Sequence, residues 1–115
     1  DDNSVGVFNG RVVVRPDAQK TNSFQQNNNI LLTDDAVINS KPELEIYAND
    51  VKCSHGSTTG QLNDEAIFYL QARGVGKRSA INMMITAFAK EALERVSIIA
   101  LKEYVKNKIE TRFGN

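Results

Sequence analysis

The sequence predicts an α+β chain in which a β part and a helical part follow one another instead of alternating. Up to about residue 62 the apolar residues fall in short β-rich clusters separated by turn formers, and from residue 63 they recur at helical spacing. The charge changes at the same place: residues 1–60 hold 5 basic and 8 acidic groups, residues 61–115 hold 9 and 6. Two domains are expected on this reading, 1–62 and 63–115.

The β clusters are Val5-Gly6-Val7-Phe8, Val12-Val13-Val14, Ile30-Leu31-Leu32, Ala36-Val37-Ile38 and Leu44-Glu45-Ile46-Tyr47. Between them lie Asn9-Gly10, Pro16-Asp17, Asn27-Asn28-Asn29, Asp34-Asp35, Lys41-Pro42 and Asn49-Asp50, turn formers that break the chain after about four to six residues. Asn9-Gly10 is a hairpin signal, whereas clusters so short and uneven also suit rungs of a coiled parallel sheet. The residues leave both topologies open. A rung buries its apolar face only by stacking on another, so rungs here imply more before Asp1. Together with a first residue that is not Met, this gives the expectation of a piece of a longer protein.

The helical part divides into three. Asn63 is a good N-cap, Asp64 and Glu65 meet the positive end of the helix dipole, and Gly74 stands where a helix-ending glycine belongs, which predicts a first helix over Asp64 to Arg73. A second runs from Lys77 to about Val96, with Ile81, Met84, Ile85, Phe88, Ala89, Ala92, Leu93 and Val96 on one stripe. Ser97 caps a third, ending near Arg112, in which Ile98, Leu101, Val105 and Ile109 share a face.

Composition narrows the function classes. The chain has 115 residues, one domain's worth, with 14 basic and 14 acidic groups, whereas a general polyanion binder would carry a basic excess. Nucleic acid is not an expected partner. No apolar run approaches the roughly 18 residues of a membrane span. The single cysteine, Cys53, cannot form an internal disulfide and suits a reducing compartment, with the cytoplasm as the default.

The segment with chemical character is Val51-Lys52-Cys53-Ser54-His55-Gly56-Ser57-Thr58-Thr59-Gly60-Gln61-Leu62, which holds the one cysteine and the one histidine. In an extended chain Cys53 and His55 face the same side, so a thiolate and an imidazole can reach one soft metal ion. Two ligands leave a tetrahedral site half filled, and a partner must supply the others. The alternative is a small buried cysteine beside a hydrogen-bonding histidine. A Cys–His nucleophile is disfavoured, because side chains two apart on a strand point in parallel and nothing distinctive orients His55. Gln61 and Leu62 follow the second glycine of Gly56-Ser57-Thr58-Thr59-Gly60, so the phosphate-loop pattern is absent.

The run Ser40-Lys41-Pro42-Glu43-Leu44-Glu45-Ile46-Tyr47-Ala48-Asn49-Asp50-Val51-Lys52-Cys53-Ser54-His55-Gly56, with Gly60-Gln61-Leu62, Phe68-Tyr69-Leu70 and Arg73-Gly74, is similar to the C-terminal signature of SufD-type iron–sulfur cluster assembly proteins of the SufB/SufD family. The resemblance is close from about Leu31 to Gly74, looser through the helices, and one of style only over residues 1–30. The related SufB branch has a glutamate after the strand in place of this histidine, so Ser54-His55-Gly56 favours the SufD branch.

The resemblance implies a fold: the end of a right-handed parallel β-helix followed by a C-terminal three-helix domain. It implies a scaffold subunit, not an enzyme, that pairs with a SufB-like subunit through the β part and docks a SufC-like ABC ATPase through the helices. It implies that His55, with Cys53 less firmly, helps to hold a nascent Fe–S cluster shared with the partner, a transient occupant of the full complex and not of the isolated fragment. The neutral imidazole is a competent iron ligand. Nucleotide-driven dimerisation of the ATPase would be transmitted through the helices and open the Cys53–His55 segment.

Arg73, Gly74, Met83, Met84, Ala87 and Phe88 are the expected ATPase contacts, since Met83 and Ala87 lie off the main stripe of the second helix and methionine suits adaptable interfaces. Packing against the other helices is the competing account of those residues. An open strand edge is prone to pairing, so self-association of the β part is a further expectation. Two other function classes stand beside the scaffold: a structural adaptor with Cys53 and His55 inert, and a β-solenoid carbohydrate-active domain. The latter needs clustered acids, and the pair Asp34-Asp35 reads as a turn.

Overall fold

The computed structural model describes residues 3–113. Four strands, β1 (Val5–Val14), β2 (Asn22–Leu31), β3 (Val37–Ile46) and β4 (Lys52–Gln61), precede three helices, α1 (Asp64–Ala72), α2 (Lys77–Glu94) and α3 (Ile99–Phe113). The chain divides into two compact units, Asp1–Gln61 and Leu62–Asn115.

In the β unit, alternate residues of β1, β2 and β3 turn inward, as a pleated chain requires. Phe8, Gly10, Val12 and Val14 do so on β1, Ser23, Gln25, Asn27 and Asn29 on β2, and Ile38, Ser40, Pro42 and Leu44 on β3, with Val14 only 3% exposed. β1 pairs with β3 in parallel from Val5↔Val37 to Val14↔Ile46, and β2 pairs with β4 in parallel from Asn22↔Lys52 to Leu31↔Gln61. The two sheets meet through β3 against β4 and β2 against β3. Polar side chains tie them: Ser57 Oγ donates to Ser40 Oγ at 2.9 Å, and Ser40 Oγ to Asn27 Oδ1 at 2.8 Å.

The α+β class agrees with this architecture, but the expected end of a right-handed parallel β-helix does not. Among the described residues the strands form two separate two-stranded parallel sheets, and no sheet gains the third strand that a stack of rungs would add. Each strand meets its ladder hydrogen bonds with a single neighbour. The strands are also ten residues long, not four to six.

Three expected turns therefore lie inside strands: Asn9-Gly10 in β1, Asn27-Asn28-Asn29 in β2 and Lys41-Pro42 in β3. Asparagine favours turns because its amide competes for nearby backbone groups. On β2 those amides find partners within the sheet instead. Asn29 Nδ2 donates to Asn27 Oδ1 at 2.7 Å and to Thr58 O at 3.0 Å, while Asn28 Oδ1 accepts from Gln26 Nε2 and Thr58 Oγ1. Pro42 is tolerated because β3 has a hydrogen-bonded neighbour on one side only, which leaves alternate amides free of the ladder.

The helical unit follows its sequence signals closely. Asn63 Oδ1 accepts from the Ala66 N–H at 3.0 Å, capping α1. The helix ends on a left-handed Gly74 with φ +87°, whose N–H donates to Gln71 O while that of Val75 donates to Leu70 O, a double closure that satisfies the last carbonyls. α2 packs against both α1 and α3, and the fully covered residues are Ile67, Ala80 and Leu93. Each of the two larger side chains contributes about 1.5–3 kcal/mol by leaving water.

α3 differs from expectation at its start. It begins at Ile99, and the Lys102 N–H donates to Ile98 O, so Ile98 and not Ser97 holds the cap position. Ile98 and Leu101 are then exposed, and Val105 and Ile109 carry the inward face. No described helix is long and apolar enough to cross a membrane.

Candidate functional site

The position of β4, which carries Cys53 and His55, is fixed by the turns before it. The Asp50 N–H donates to Gln19 Oε1 at 2.9 Å, the Lys20 N–H to Asp50 O, and the Lys52 N–H to Thr21 O at 2.9 Å. These bonds lock the β2–β4 register at its first pair, so that Ser23 stands beside Cys53 and Gln25 beside His55. Lys20 adopts φ +62°, the left-handed conformation that turns the chain into β2.

Cys53 is half-buried and free, and His55 is exposed. Both sit on the same side of β4 as Ser57, about 6.6 Å apart along the strand. The expected shared orientation is thus present. Among the described residues no group of three or more His, Cys, Asp or Glu is arranged to hold a metal. A thiolate and an imidazole here can supply two soft ligands to an ion whose remaining positions are filled from elsewhere.

Two acids of the β unit form exposed ion pairs, Glu45 with Arg11 at 2.9 Å and Glu43 with Lys41 at 3.0 Å. Asp34 accepts from Gln61 Nε2 within its turn.

In the helical unit the six expected contact residues do not share one face. Arg73 is the exposed C-cap of α1, its guanidinium 3.7 Å over the Tyr69 ring, and Gly74 is the turn that follows. Met83, 53% exposed, and Ala87 lie one turn apart on the outward side of α2, whereas Met84 and Phe88 are half-buried on the inward side. Sequence reasoning passed over Phe68, Ile99 and Tyr104, which are 73%, 77% and 60% exposed. Short apolar runs such as Phe68-Tyr69 give no sign of which member faces water. It also passed over Gln25, whose amide lies between the sheets; the inward phase of β2 was hidden by the asparagine run.

The model of the SUF system FeS cluster assembly, SufBD core domain, matches residues 1–88, which covers the β unit, α1 and most of α2. This chain belongs to the SufBD core family. Within that family it is 46% identical over 111 residues to the iron-sulfur cluster assembly protein SufD of Escherichia coli, and 41% identical over 112 residues to the SufBD family protein slr0076 of Synechocystis. It is 38% identical over 104 residues to the chloroplastic protein ABCI7 of Arabidopsis thaliana. These alignments cover 96%, 97% and 90% of the chain but 26%, 25% and 22% of those relatives, so the chain spans about a quarter of their length.

Proposed function

We propose that this SufBD-family chain serves as part of a scaffold subunit in iron–sulfur cluster assembly, and not as a catalyst in its own right. The carrying observation is His55, exposed on β4 beside the half-buried Cys53, in a chain that has no other histidine or cysteine. An imidazole so presented can ligate iron of a cluster in transit when groups outside this segment complete the coordination. The cluster is then cargo, held between this chain and a SufB-like partner.

Met83 and Ala87, the outward apolar pair of α2, offer a surface for a SufC-like ABC ATPase, whose nucleotide cycle supplies the movement that opens the half-buried Cys53 beside the exposed His55. The decisive experiment is reconstitution of the complete complex with His55→Ala. Cluster formation should fall while the complex still assembles; undiminished formation would remove the ligand role and leave a structural adaptor.

A further inference from the structure

Asn9-Gly10 is a chemically labile dipeptide in the middle of a strand. An asparagine followed by glycine can modify itself. The glycine amide nitrogen attacks the asparagine Cγ, ammonia leaves, and water opens the resulting succinimide to aspartate or, with the main chain rerouted through the side-chain carboxyl, to isoaspartate. Glycine favours the reaction because it has no side chain to hinder the attack and leaves the backbone free to turn.

The sheet withholds what the reaction needs. Ring closure requires Asn9 to leave the extended ψ that β1 imposes on it. It also requires the Gly10 nitrogen. The Val37 N–H donates to Ser4 O and the Tyr47 N–H to Val14 O, at the two ends of a ladder whose register is unbroken. A parallel ladder repeats every two residues, so the even-numbered amides of β1 face β3, and that of Gly10 is directed at the Lys41 carbonyl. Asn9 is exposed, so the restraint is the pairing and not burial.

A larger residue at position 10 would lower the lability, but the packing opposes one. A Cβ there would stand 2.6 Å from Phe8 Cζ and would meet the Gln25 amide. The fold therefore keeps the glycine and shields the bond that the glycine makes labile. We infer that Asn9-Gly10 is a self-modification site that records opening of β1: it is silent while β1 pairs with β3 and reacts when the strand comes away. The isoaspartyl product adds a methylene to the main chain. Residues beyond it lose the phase that turns Val12 and Val14 inward, so the opened strand cannot regain its register.

The test follows the full-length subunit at mildly alkaline pH across a urea series. Peptide mass spectrometry reads the asparagine-to-aspartate mass gain at residue 9 and separates isoaspartyl from aspartyl peptides. The native subunit should react at least about 100-fold more slowly than the urea-unfolded chain, since the reaction waits on the open population. Val14→Ala, which loosens β1 without touching the dipeptide, should speed the native reaction and leave the unfolded rate unchanged. When urea is removed, aspartyl chains should refold and isoaspartyl chains should not. Equal rates in the native and unfolded wild type would overturn the shielding, a comparison that stands even where Val14→Ala fails to fold; so would a folded Val14→Ala subunit reacting at the wild-type rate. Refolding of isoaspartyl chains in the yield of unmodified ones would overturn the irreversibility.

Discussion

Ser57 Oγ donates to Ser40 Oγ across 2.9 Å, joining β4 of one sheet to β3 of the other over 17 positions of sequence. Ser40 passes the chain of bonds on to Asn27, which also accepts from Asn29. The seam between the sheets is polar on this side and apolar around Val12, Val14 and Leu44. Ser40→Ala should therefore destabilise the β unit by about 1–2 kcal/mol, since two hydroxyl bonds are lost and Asn27 keeps one donor fewer. Urea unfolding of the wild type and the variant checks this, and a midpoint unchanged between them would show that the seam is not cohesive.

Glycines at comparable places in the chain should respond in opposite ways. Alanine at Gly10 meets Gln25 and the Phe8 ring, so Gly10→Ala should cost about 1–3 kcal/mol by overpacking. At Gly60 and at Gly76 nothing lies within 4 Å of an added Cβ. Gly60→Ala should be neutral or stabilise by up to about 1 kcal/mol through the unfolded state. Thermal melts of the two variants should move apart.

The α1 cap is a single side chain. Asn63→Ala leaves the Ala66 N–H without its acceptor and should cost about 1 kcal/mol, seen as earlier loss of helical circular dichroism on heating. Asn63→Asp should restore most of it, because a carboxylate accepts the same bond at the positive end of the helix dipole.

Met83 separates docking from folding. Being 53% exposed, it should tolerate Met83→Glu within about 0.5 kcal/mol of stability. Capture of a SufC-like ATPase by the full subunit should nevertheless weaken, because a charge replaces apolar contact area. Met84→Glu, on the inward face, should instead lower stability, and equal effects at the two positions would argue against an outward docking face.

Much of the helical unit was legible because its signals are local. Asn63, Gly74 and most of the stripe from Ile81 to Leu93 act within a few residues and lie where their spacing places them, although Ala92 is exposed and Ala80, outside the stripe, is the most buried residue of α2. The third helix was less legible. Its cap depended on whether Ser97 or Ile98 met the first turn, and neither choice is strongly enforced by neighbours. Cys53 and His55 stood out as the only residues of their kind and, two apart on a strand, had to face one way.

What the sequence determined alone was the order of β before α, the two ends of α1, the shared side of Cys53 and His55, and a family-specific signature. The tertiary structure decided the pairing of β1 with β3 and of β2 with β4, and with it the place of the Gln25 amide against Gly10. Strand pairing joins residues about thirty positions apart, and their hydrogen bonds leave no local mark in sequence. An asparagine run reads as a turn until a neighbouring strand supplies partners for its amides. The residue pair at the centre of the candidate site was visible from the start, whereas the burial of the Gln25 amide emerged only when the sheets closed on it.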